Sequence, residues 1–304
     1  MIGIIAAGGN STRLYPLTQS RTKHLLPIYG KPMIYYPISN LMLMGIKEII
    51  IVTKETDIKD LKKCLGNGKQ LGIKFHYIIQ NKPRGVADVL ITSKKFIKNK
   101  EVCLILGDNI FYGSNFNNIV LKNSQNLEGA KIFLYLVDNP SKYGVVKIDK
   151  TKNKIINIVE KPKSTSNRHA ITGIYLFDKN LSKNISNLKK SKRGELEIVD
   201  VLKNYNKNSK LHFDIFDRGI VWIDAGTTSN IFRASEIIAI IENRTKFKIG
   251  CIESIAYEKN LISKKDFVNL INKIIFSNAR RSCGGVSFLS RNSKPKLKPK
   301  LRPG

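Results

Sequence analysis

Residues 2–14 read Ile-Gly-Ile-Ile-Ala-Ala-Gly-Gly-Asn-Ser-Thr-Arg-Leu, an apolar run that ends in a loop of small residues. A short apolar run of this kind predicts a buried strand, and the pair Gly8 and Gly9 lets a ligand approach the backbone closely. Backbone N–H groups of such a loop can face anionic oxygens, and Arg13 adds a planar set of donors for a polyphosphate. The segment therefore predicts a strand followed by a phosphate-binding loop that includes Thr12 and Arg13.

Further apolar runs alternate with helical patterns along the first half of the chain. Strands are predicted over residues 2–7, 48–52, 75–79 and 102–106, and helices over residues 33–44, 56–64 and 85–97. This alternation is typical of βαβ units, and it predicts an α/β fold with a Rossmann-like, mixed and mostly parallel sheet flanked by helices. Because ligands bind at the carboxyl ends of the strands in such sheets, we expect the Gly8 loop and Asp108 to meet there.

The second half of the chain has a different pattern, rich in strands at first. Strands are predicted over residues 131–137, 144–148, 155–159 and 171–177, with turns at 149–154 and 162–168, and helices over 195–205, 228–243 and 264–275. We expect these strands to extend the sheet and to cover the other side of the ligand cleft. Residues 1–277 are predicted to form one catalytic domain with a C-terminal helical part.

The last 27 residues differ in composition from the rest of the chain. Residues 278–304 hold four Arg, four Lys and no acidic residue, which is +8 of the total net charge of +30. The lysine run from Lys294 to Lys300 is interrupted by Pro295 and Pro299, so it cannot form a helix. We interpret this segment as a basic, disordered tail, either a functional arm or a degraded end.

The high net charge raises the question of a polyanionic partner such as nucleic acid or a membrane surface. However, the lysines are spread along the whole chain, and no arginine-rich helix concentrates them. We therefore interpret the charge as a solvated surface and expect no specific nucleic acid and no membrane as partners. The cysteines lack a metal-binding spacing, and the sequence start lacks the features of a signal peptide, so we expect a cytoplasmic protein.

A series of ordered motifs follows the opening loop. They are Lys23 to Pro27, Gly30 to Tyr36, Leu106 to Gly113, Tyr143 to Val146, Glu160 to Pro162, Thr172 to Tyr175, Arg193 to Ile198 and Trp222 to Thr227. In this order the motifs resemble those of the sugar-1-phosphate nucleotidylyltransferases, and within that family the thymidylyl subgroup. The resemblance covers residues 1–277 and implies transfer of a deoxythymidylyl group from dTTP to glucose 1-phosphate. It also implies Mg²⁺ as cofactor, a homotetramer, and dTDP-glucose as a product used toward dTDP-rhamnose and related deoxysugars.

The reaction needs few protein groups, because it joins two polyanions by in-line displacement at the α-phosphorus of the triphosphate. The enzyme must position the reactants and neutralise their charge. Mg²⁺ is a hard cation that uses one or two carboxylates together with phosphate oxygens, which suits Asp108 and Asp224. In the family that the chain resembles, the matching aspartates hold the catalytic metal.

The resemblance assigns the remaining site residues. The catalytic set is Arg13, Lys23, Asp108, Lys161 and Asp224. The nucleotide side comprises Gly8, Gly9, Thr12, Arg13, Lys23, Gln80, Gly85 and Asp108. The sugar-phosphate side comprises Tyr143, Gly144, Glu160, Lys161, Thr172, Arg193 and Trp222. A second, regulatory nucleotide site would involve Tyr112, Gly113, Arg218 and Ile255. For Tyr143 and Trp222, simple core packing is an alternative interpretation.

Three residues depart from the family pattern. Ser11 stands at a loop glycine and would be strained if that position has φ > 0; His24 stands where the subgroup often has Gln; and Ser254 stands where a Glu is usual. The four histidines lack partners for nucleophilic catalysis, so no catalytic role is assigned to them. The alternatives are a uridylyl-, cytidylyl- or guanylyltransferase, a non-catalytic homologue that binds nucleotide, and a nucleic-acid-binding protein.

Overall fold

The structure is a computed structural model that describes residues 1–276 apart from Asn10, Pro83, Ser114 and Lys150, and for residues 274–276 it describes the backbone alone. The predicted basic tail, residues 278–304, lies outside the described residues.

The elements alternate through the first half of the chain as the sequence predicts. The strands are β1 (Ile2–Ala7), β2 (Pro27–Ile28), β3 (Lys31–Pro32), β4 (Glu48–Thr53), β5 (Lys74–Ile79), β6 (Val102–Leu106), β7 (Asn109–Tyr112), β8 (Ala130–Leu136), β9 (Gly144–Asp149), β10 (Lys154–Glu160), β11 (His169–Phe177), β12 (Leu211–Ile215) and β13 (Val221–Asp224). The helices are α1 (Tyr35–Leu43), α2 (Glu55–Leu65), α3 (Val86–Thr92), α4 (Lys94–Ile97), α5 (Phe116–Ser124), α6 (Leu181–Asn184), α7 (Ile198–Lys207), α8 (Thr228–Thr245), α9 (Ile252–Glu258) and α10 (Lys264–Phe276).

Among the described residues, nine strands form the main sheet. Strands β5, β4, β1 and β6 are neighbours and run parallel, and β11 then runs antiparallel to β6, β8 and β9. Strand β12 is parallel to β8, and β10 is antiparallel to β9, so all strands of this sheet except β10 and β11 point the same way. The predicted mixed, mostly parallel α/β sheet is confirmed.

The central strands are buried on both faces, as their nearly continuous apolar sequences require. In β1, Ile5 faces the core under α1 and α9, whereas Ile2 and Ile4 face the core under α3 and α7. All three side chains are fully buried. This two-sided packing fixes the position of β1 and therefore of the loop that follows it.

The structure also contains elements that the sequence patterns did not predict. The predicted helix over residues 85–97 is divided at the buried Ser93 into α3 and α4. The elements without a prediction are β2, β3, β7, β12, β13, α5, α6 and α9. Strand β7 lies within the motif Leu106 to Gly113, and β13 overlaps the motif Trp222 to Thr227. Strands β7 and β13 form a separate antiparallel pair at the edge of the cleft.

No helix in the described part of the chain combines the length and the apolar character needed to cross a bilayer.

Candidate functional site

The predicted site residues converge at the carboxyl ends of the parallel strands. Gly8 follows β1, Gln80 follows β5 and Asp108 comes two residues after β6. A cleft of about 180 Å³ opens there between the parallel strands and the strands β9 to β11. Its lining includes Arg13, Asp108, Asn109, Tyr143, Gly144, Glu160, Lys161, Thr172, Trp222 and Asp224.

The small β7–β13 sheet brings the two predicted metal-binding aspartates together. Asp224 pairs with Asn109 in the register of this sheet, and the N–H of Ala225 donates to the carbonyl oxygen of Asp108 over 2.8 Å. The two residues are far apart in the sequence, and only this antiparallel pairing makes them neighbours. Lys23 completes the group, because its Nζ lies 2.5 Å from Oδ2 of Asp108.

The two carboxyl groups differ in their electrostatic environment. Burial raises the pKa of Asp108, but the ammonium of Lys23 outweighs this effect and holds the pKa well below its usual range. Burial and then the charge of Asp108 raise the pKa of Asp224 to about 6, against the opposing effect of Arg13 and Lys23. One aspartate is therefore stabilised as a carboxylate, while the other lies in a buried region with excess negative charge.

Asn109 is a site residue that the sequence reasoning left unassigned. Its Oδ1 accepts a hydrogen bond from Nε1 of Trp222 over 2.6 Å, and its Nδ2 donates to Oδ1 of Asp108 over 3.1 Å. Gly173 makes room for this amide, since a Cβ at that position would lie 2.3 Å from Oδ1 of Asn109. The amide thus connects the aromatic wall of the cleft to the aspartate, and the Gly-Asp-Asn motif was the signal that could have identified it.

The residues of the predicted phosphate loop follow β1, and Arg13 among them lines the cleft. Gly9 has φ +99° and Ser11 has φ +53°, so the position that Ser11 occupies does favour glycine. The side chain of Arg13 lies against Gly226, where an added Cβ would be 2.8 Å from a terminal guanidinium nitrogen of Arg13 and 2.9 Å from Oδ1 of Asp224. Arg13 is therefore close to the second aspartate, while Thr12 is exposed.

The predicted base-binding residues are held by tight packing. A Cβ on Gly8 would lie 2.6 Å from Oε1 of Gln80, and a Cβ on Gly85 would lie 2.4 Å from the carbonyl oxygen of Leu196. Gly85 also has φ +106°, so two independent features require glycine there. Val86 and Leu106, which neighbour Gly85 and Gly107 in the sequence, lie in the cleft wall. The assignment of Gln80 and Gly85 to the base stays a prediction.

Glu160 and Lys161, two of the predicted sugar-phosphate residues, lie at the end of β10. Lys161 has φ +42°, an unfavourable conformation for lysine that functional sites often retain. Its Nζ is 3.8 Å from Oε1 of Glu160, and a terminal guanidinium nitrogen of Arg193 is 3.6 Å from the same oxygen. Burial raises the pKa of Glu160, and the nearby cation of Lys161 opposes this. Gly144 leaves space for the carboxylate, since a Cβ there would be 3.1 Å from Oε2.

The aromatic residues and Thr172 also have structural roles. The rings of Tyr143 and Tyr135 pack on Trp222 with centroids 5.0 and 5.8 Å away, and Trp222 is nine-tenths buried. The hydroxyl of Thr172 donates to the carbonyl oxygen of Phe133 over 2.9 Å. Tyr143 and Trp222 therefore both pack in the protein and line the cleft. The hydroxyl of Thr172, by contrast, is already bonded to a backbone carbonyl.

His24 lies beneath the aspartate loop. Its Nδ1 is 3.1 Å from the hydroxyl of Thr22, and a Cβ on Gly107 would lie 2.9 Å from its Nε2. Burial, followed by the neighbouring charge of Lys23, lowers the pKa of His24 to about 3. The ring therefore packs in its neutral form below Gly107.

The four residues of the predicted regulatory site have different environments. Tyr112 ends β7 and Gly113 follows it. A Cβ on Gly113 would lie 2.5 Å from the carbonyl oxygen of Gly219, next to the exposed Arg218. The side chain of Ile255 is buried in the core with α9. The first three are therefore close together, while the Ile255 side chain is covered by core packing.

The match to known proteins agrees with this geometry. The family model described as nucleotidyl transferase matches residues 2–240. The chain belongs to that family. Our prediction of a sugar nucleotidylyltransferase is thereby confirmed.

Several relatives carry a more specific name. A glucose-1-phosphate thymidylyltransferase of Neisseria gonorrhoeae is 41% identical over 266 residues, which is 88% of this chain and 92% of the relative. One from Mycolicibacterium smegmatis is 38% identical over 277 residues, covering 91% and 96% of the two chains.

Two solved structures have the same fold. A Bacillus anthracis protein described as a candidate glucose-1-phosphate thymidylyltransferase superposes with a TM-score of 0.72 at 39% identity, covering 78% of this chain and 95% of that one. A UDP-glucose pyrophosphorylase superposes with a TM-score of 0.70 at 22% identity, covering 79% and 98%, which supports the fold alone.

Proposed function

We propose that this chain transfers a deoxythymidylyl group from dTTP to glucose 1-phosphate, giving dTDP-glucose and pyrophosphate. The observation that carries the proposal is the adjacent pair Asp108 and Asp224 with cations around it. Lys23 contacts Asp108, Arg13 lies near Asp224, and Lys161 lines the same cleft. The names of the relatives at about 40% identity support the same substrates.

The reaction requires one bond to form and one to break. A phosphate oxygen of glucose 1-phosphate attacks the α-phosphorus of dTTP, and the bond from that phosphorus to the bridging oxygen of pyrophosphate breaks. Lys161 binds the attacking sugar phosphate, with Arg193 on the glucose 1-phosphate side. Arg13 and Lys23 neutralise the triphosphate and the departing pyrophosphate. Because no proton transfer to a side chain is needed, positioning and charge neutralisation supply the catalysis.

The donor set at the aspartate pair fits a hard divalent cation such as Mg²⁺. Within the described residues no cluster of three or more His, Cys, Asp or Glu side chains could hold a metal ion, but two carboxylates suffice when phosphate oxygens complete the shell. The raised pKa of Asp224 marks a position where added positive charge is favourable. Asp108 and Asp224 would hold the ion, which would neutralise developing charge on the phosphates.

A single assay tests the proposal. Pyrophosphate release from glucose 1-phosphate should be measured with dTTP, UTP, CTP and GTP, each with and without Mg²⁺. We expect Mg²⁺-dependent release with a preference for dTTP. Release that is absent with every nucleotide would favour a non-catalytic homologue, and a preference for another base would reassign the enzyme within its family.

The metal assignment has its own test. Asp108→Asn should lower turnover by several powers of ten with the fold intact, because one ligand of the ion is lost. Near-normal turnover in this variant would remove Asp108 from the metal site. Circular dichroism and the unfolding midpoint serve as controls for folding.

The remaining family properties are part of the proposal as well. We propose a homotetramer in the cytoplasm, where both substrates are metabolites, with a second nucleotide site at Tyr112, Gly113, Arg218 and Ile255. The exposed apolar side chains Phe232 and Ile240 on α8, 63% and 64% exposed, favour an association of copies. Light scattering gives the assembly state, and cell fractionation gives the location. Inhibition by dTDP-sugars that Arg218→Ala abolishes would support the second site.

A further inference from the structure

The buried pair of Gln80 and Asp88 suggests how the site selects its base. We propose that Asp88 is a positioning residue that fixes the amide of Gln80, so that its oxygen faces Gly8, on the side where the base would bind, and selects bases that carry an N3–H donor. This inference rests on the proposed function, because it concerns the nucleotide end of the same site. It assigns a role to a residue outside the motifs discussed above.

The two side chains come from neighbouring elements. Gln80 follows β5, and Asp88 lies in the first turn of α3. Gln80 is 4% exposed and Asp88 is 1% exposed. Nε2 of Gln80 donates to Oδ2 of Asp88 over 2.7 Å, and Arg84 donates to Oδ1 of Asp88 over 2.8 Å. Both carboxylate oxygens therefore have a donor, and neither side chain is free to turn towards bulk solvent.

The chemistry of this contact decides the direction of the amide. An ionised carboxylate only accepts hydrogen bonds, so the NH₂ group of Gln80 must face Asp88. Its Oε1 then points the other way, towards Gly8, where an added Cβ would lie 2.6 Å from that oxygen. A rotated amide would place Oε1 against the carboxylate, which is strongly unfavourable in a buried site.

The direction of the amide has a consequence for base choice. An acceptor oxygen suits thymine and uracil, which carry a hydrogen on N3. It opposes cytosine, whose N3 is itself an acceptor. A site built to pair one polar group rejects the analogue that leaves that group unpaired far better than it rejects a change of one methyl group. Asp88 therefore favours dTTP and dUTP over dCTP, while the distinction between the first two depends on other contacts.

The test uses nucleotide binding, measured by calorimetry without glucose 1-phosphate, for dTTP, dUTP and dCTP. In Asp88→Asn, the new amide can donate or accept, so the Gln80 amide is free to rotate. We expect the ratio of dTTP to dCTP affinity to fall by roughly 10-fold or more, a loss typical of one misplaced polar contact. The matched control Arg84→Gln removes the charge partner of Asp88 and leaves its contact with Gln80, so the ratio should stay unchanged.

A double variant provides the rescue. In Gln80→Glu with Asp88→Asn, the direction of the hydrogen bond is reversed, but an acceptor oxygen again faces Gly8. The preference for dTTP over dCTP should return towards that of the unmodified chain. This arm keeps the proposal testable if Asp88→Asn alone does not fold.

Three results would overturn the inference. They are an unchanged ratio in Asp88→Asn, an equal loss of affinity for all three nucleotides, and a change in Arg84→Gln as large as in Asp88→Asn. Failure of the double variant to restore the ratio would also contradict it. Turnover of the unmodified chain is measured separately, so the absence of dTDP-glucose formation would contradict the proposed function and leave the binding ratios as a test of Asp88.

Discussion

Replacement of Asp224 by asparagine should abolish catalysis and at the same time stabilise the metal-free protein. The carboxyl group of Asp224 has a pKa raised to about 6 from its ordinary 3.8, by burial and then by the charge of Asp108. Asparagine keeps the volume and an oxygen that can accept the N–H of Gly226, which now donates to Oδ1 of Asp224 over 3.0 Å. It removes only the unfavourable negative charge.

The magnitude follows from the difference between the two pKa values. An acid with a raised folded pKa holds its proton more tightly in the folded state, so the folded state loses stability as pH rises from 3.8 to about 6. At 1.36 kcal/mol for each pH unit, the loss is about 3 kcal/mol at most, and partial solvent screening reduces it to about 1–3 kcal/mol. This corresponds to roughly 2–5 °C in the unfolding midpoint of a chain of 304 residues.

The assay is the unfolding midpoint in the presence of a chelator, measured from pH 8 to pH 4. The variant should be more stable than the unmodified protein above about pH 6, and the difference should shrink as the pH approaches the ordinary value of 3.8. Asp217→Asn is a matched control, because that residue is exposed and the substitution changes the charge equally. It should give no pH-dependent difference.

Turnover provides the second half of the prediction. Asp224→Asn should reduce turnover by several powers of ten, because it removes a proposed ligand of the metal ion. A variant that is less stable than the unmodified protein at pH 8, or equally more stable at all pH values, would refute the electrostatic reasoning. Near-normal turnover would refute the metal assignment.

Three further predictions concern other parts of the chain. Lys161→Ala should raise the KM for glucose 1-phosphate far more than the KM for dTTP, and Arg13→Ala should raise the KM for dTTP far more than that for glucose 1-phosphate. Equal effects on both substrates in steady-state kinetics would contradict the division of roles. Because Ser11 has φ +53°, Ser11→Gly should relieve about 1 kcal/mol of backbone strain. It should mildly improve dTTP affinity or turnover and leave the unfolding midpoint unchanged or higher. A clear loss of activity would show that the hydroxyl has a role. Truncation after Ser277 should preserve nucleotidyl transfer and the unfolding midpoint. It should remove weak, salt-sensitive binding to polyanions, because the truncation removes eight positive charges. Loss of activity would make residues 278–304 part of the catalytic unit.

The sequence pattern was most informative where one local signal was sufficient. The apolar runs predicted β1, β4, β5 and β6 to within a residue or two, because strands buried on both faces have continuous apolar sequences. The position of Asp108 after such a strand placed it at the carboxyl edge without further information. Backbone strain at Ser11 was expected only if that position has φ > 0, and the structure meets this condition, because Ser11 has φ +53°.

The sequence pattern failed where an element depends on a distant partner. Strand β13 is four residues long, and it is a strand because it pairs with β7. The same pairing brings Asp224 to Asp108. The role of Asn109 likewise requires Trp222, 113 positions away in the sequence, and Gly173 to leave space for the amide. A local pattern contains no information on such contacts.

The sequence by itself determined the α/β class, the glycine-containing loop after β1 and the identity of the charged groups, because strand periodicity, glycine content and side-chain chemistry are local properties. Only the tertiary structure decided which groups act together. Burial and proximity give Asp108 and Asp224 different pKa values, although both are aspartates at the end of an apolar run. The direction of the Gln80 amide is set by the buried carboxylate of Asp88, since a hydrogen bond acquires its direction only when its partner is in place.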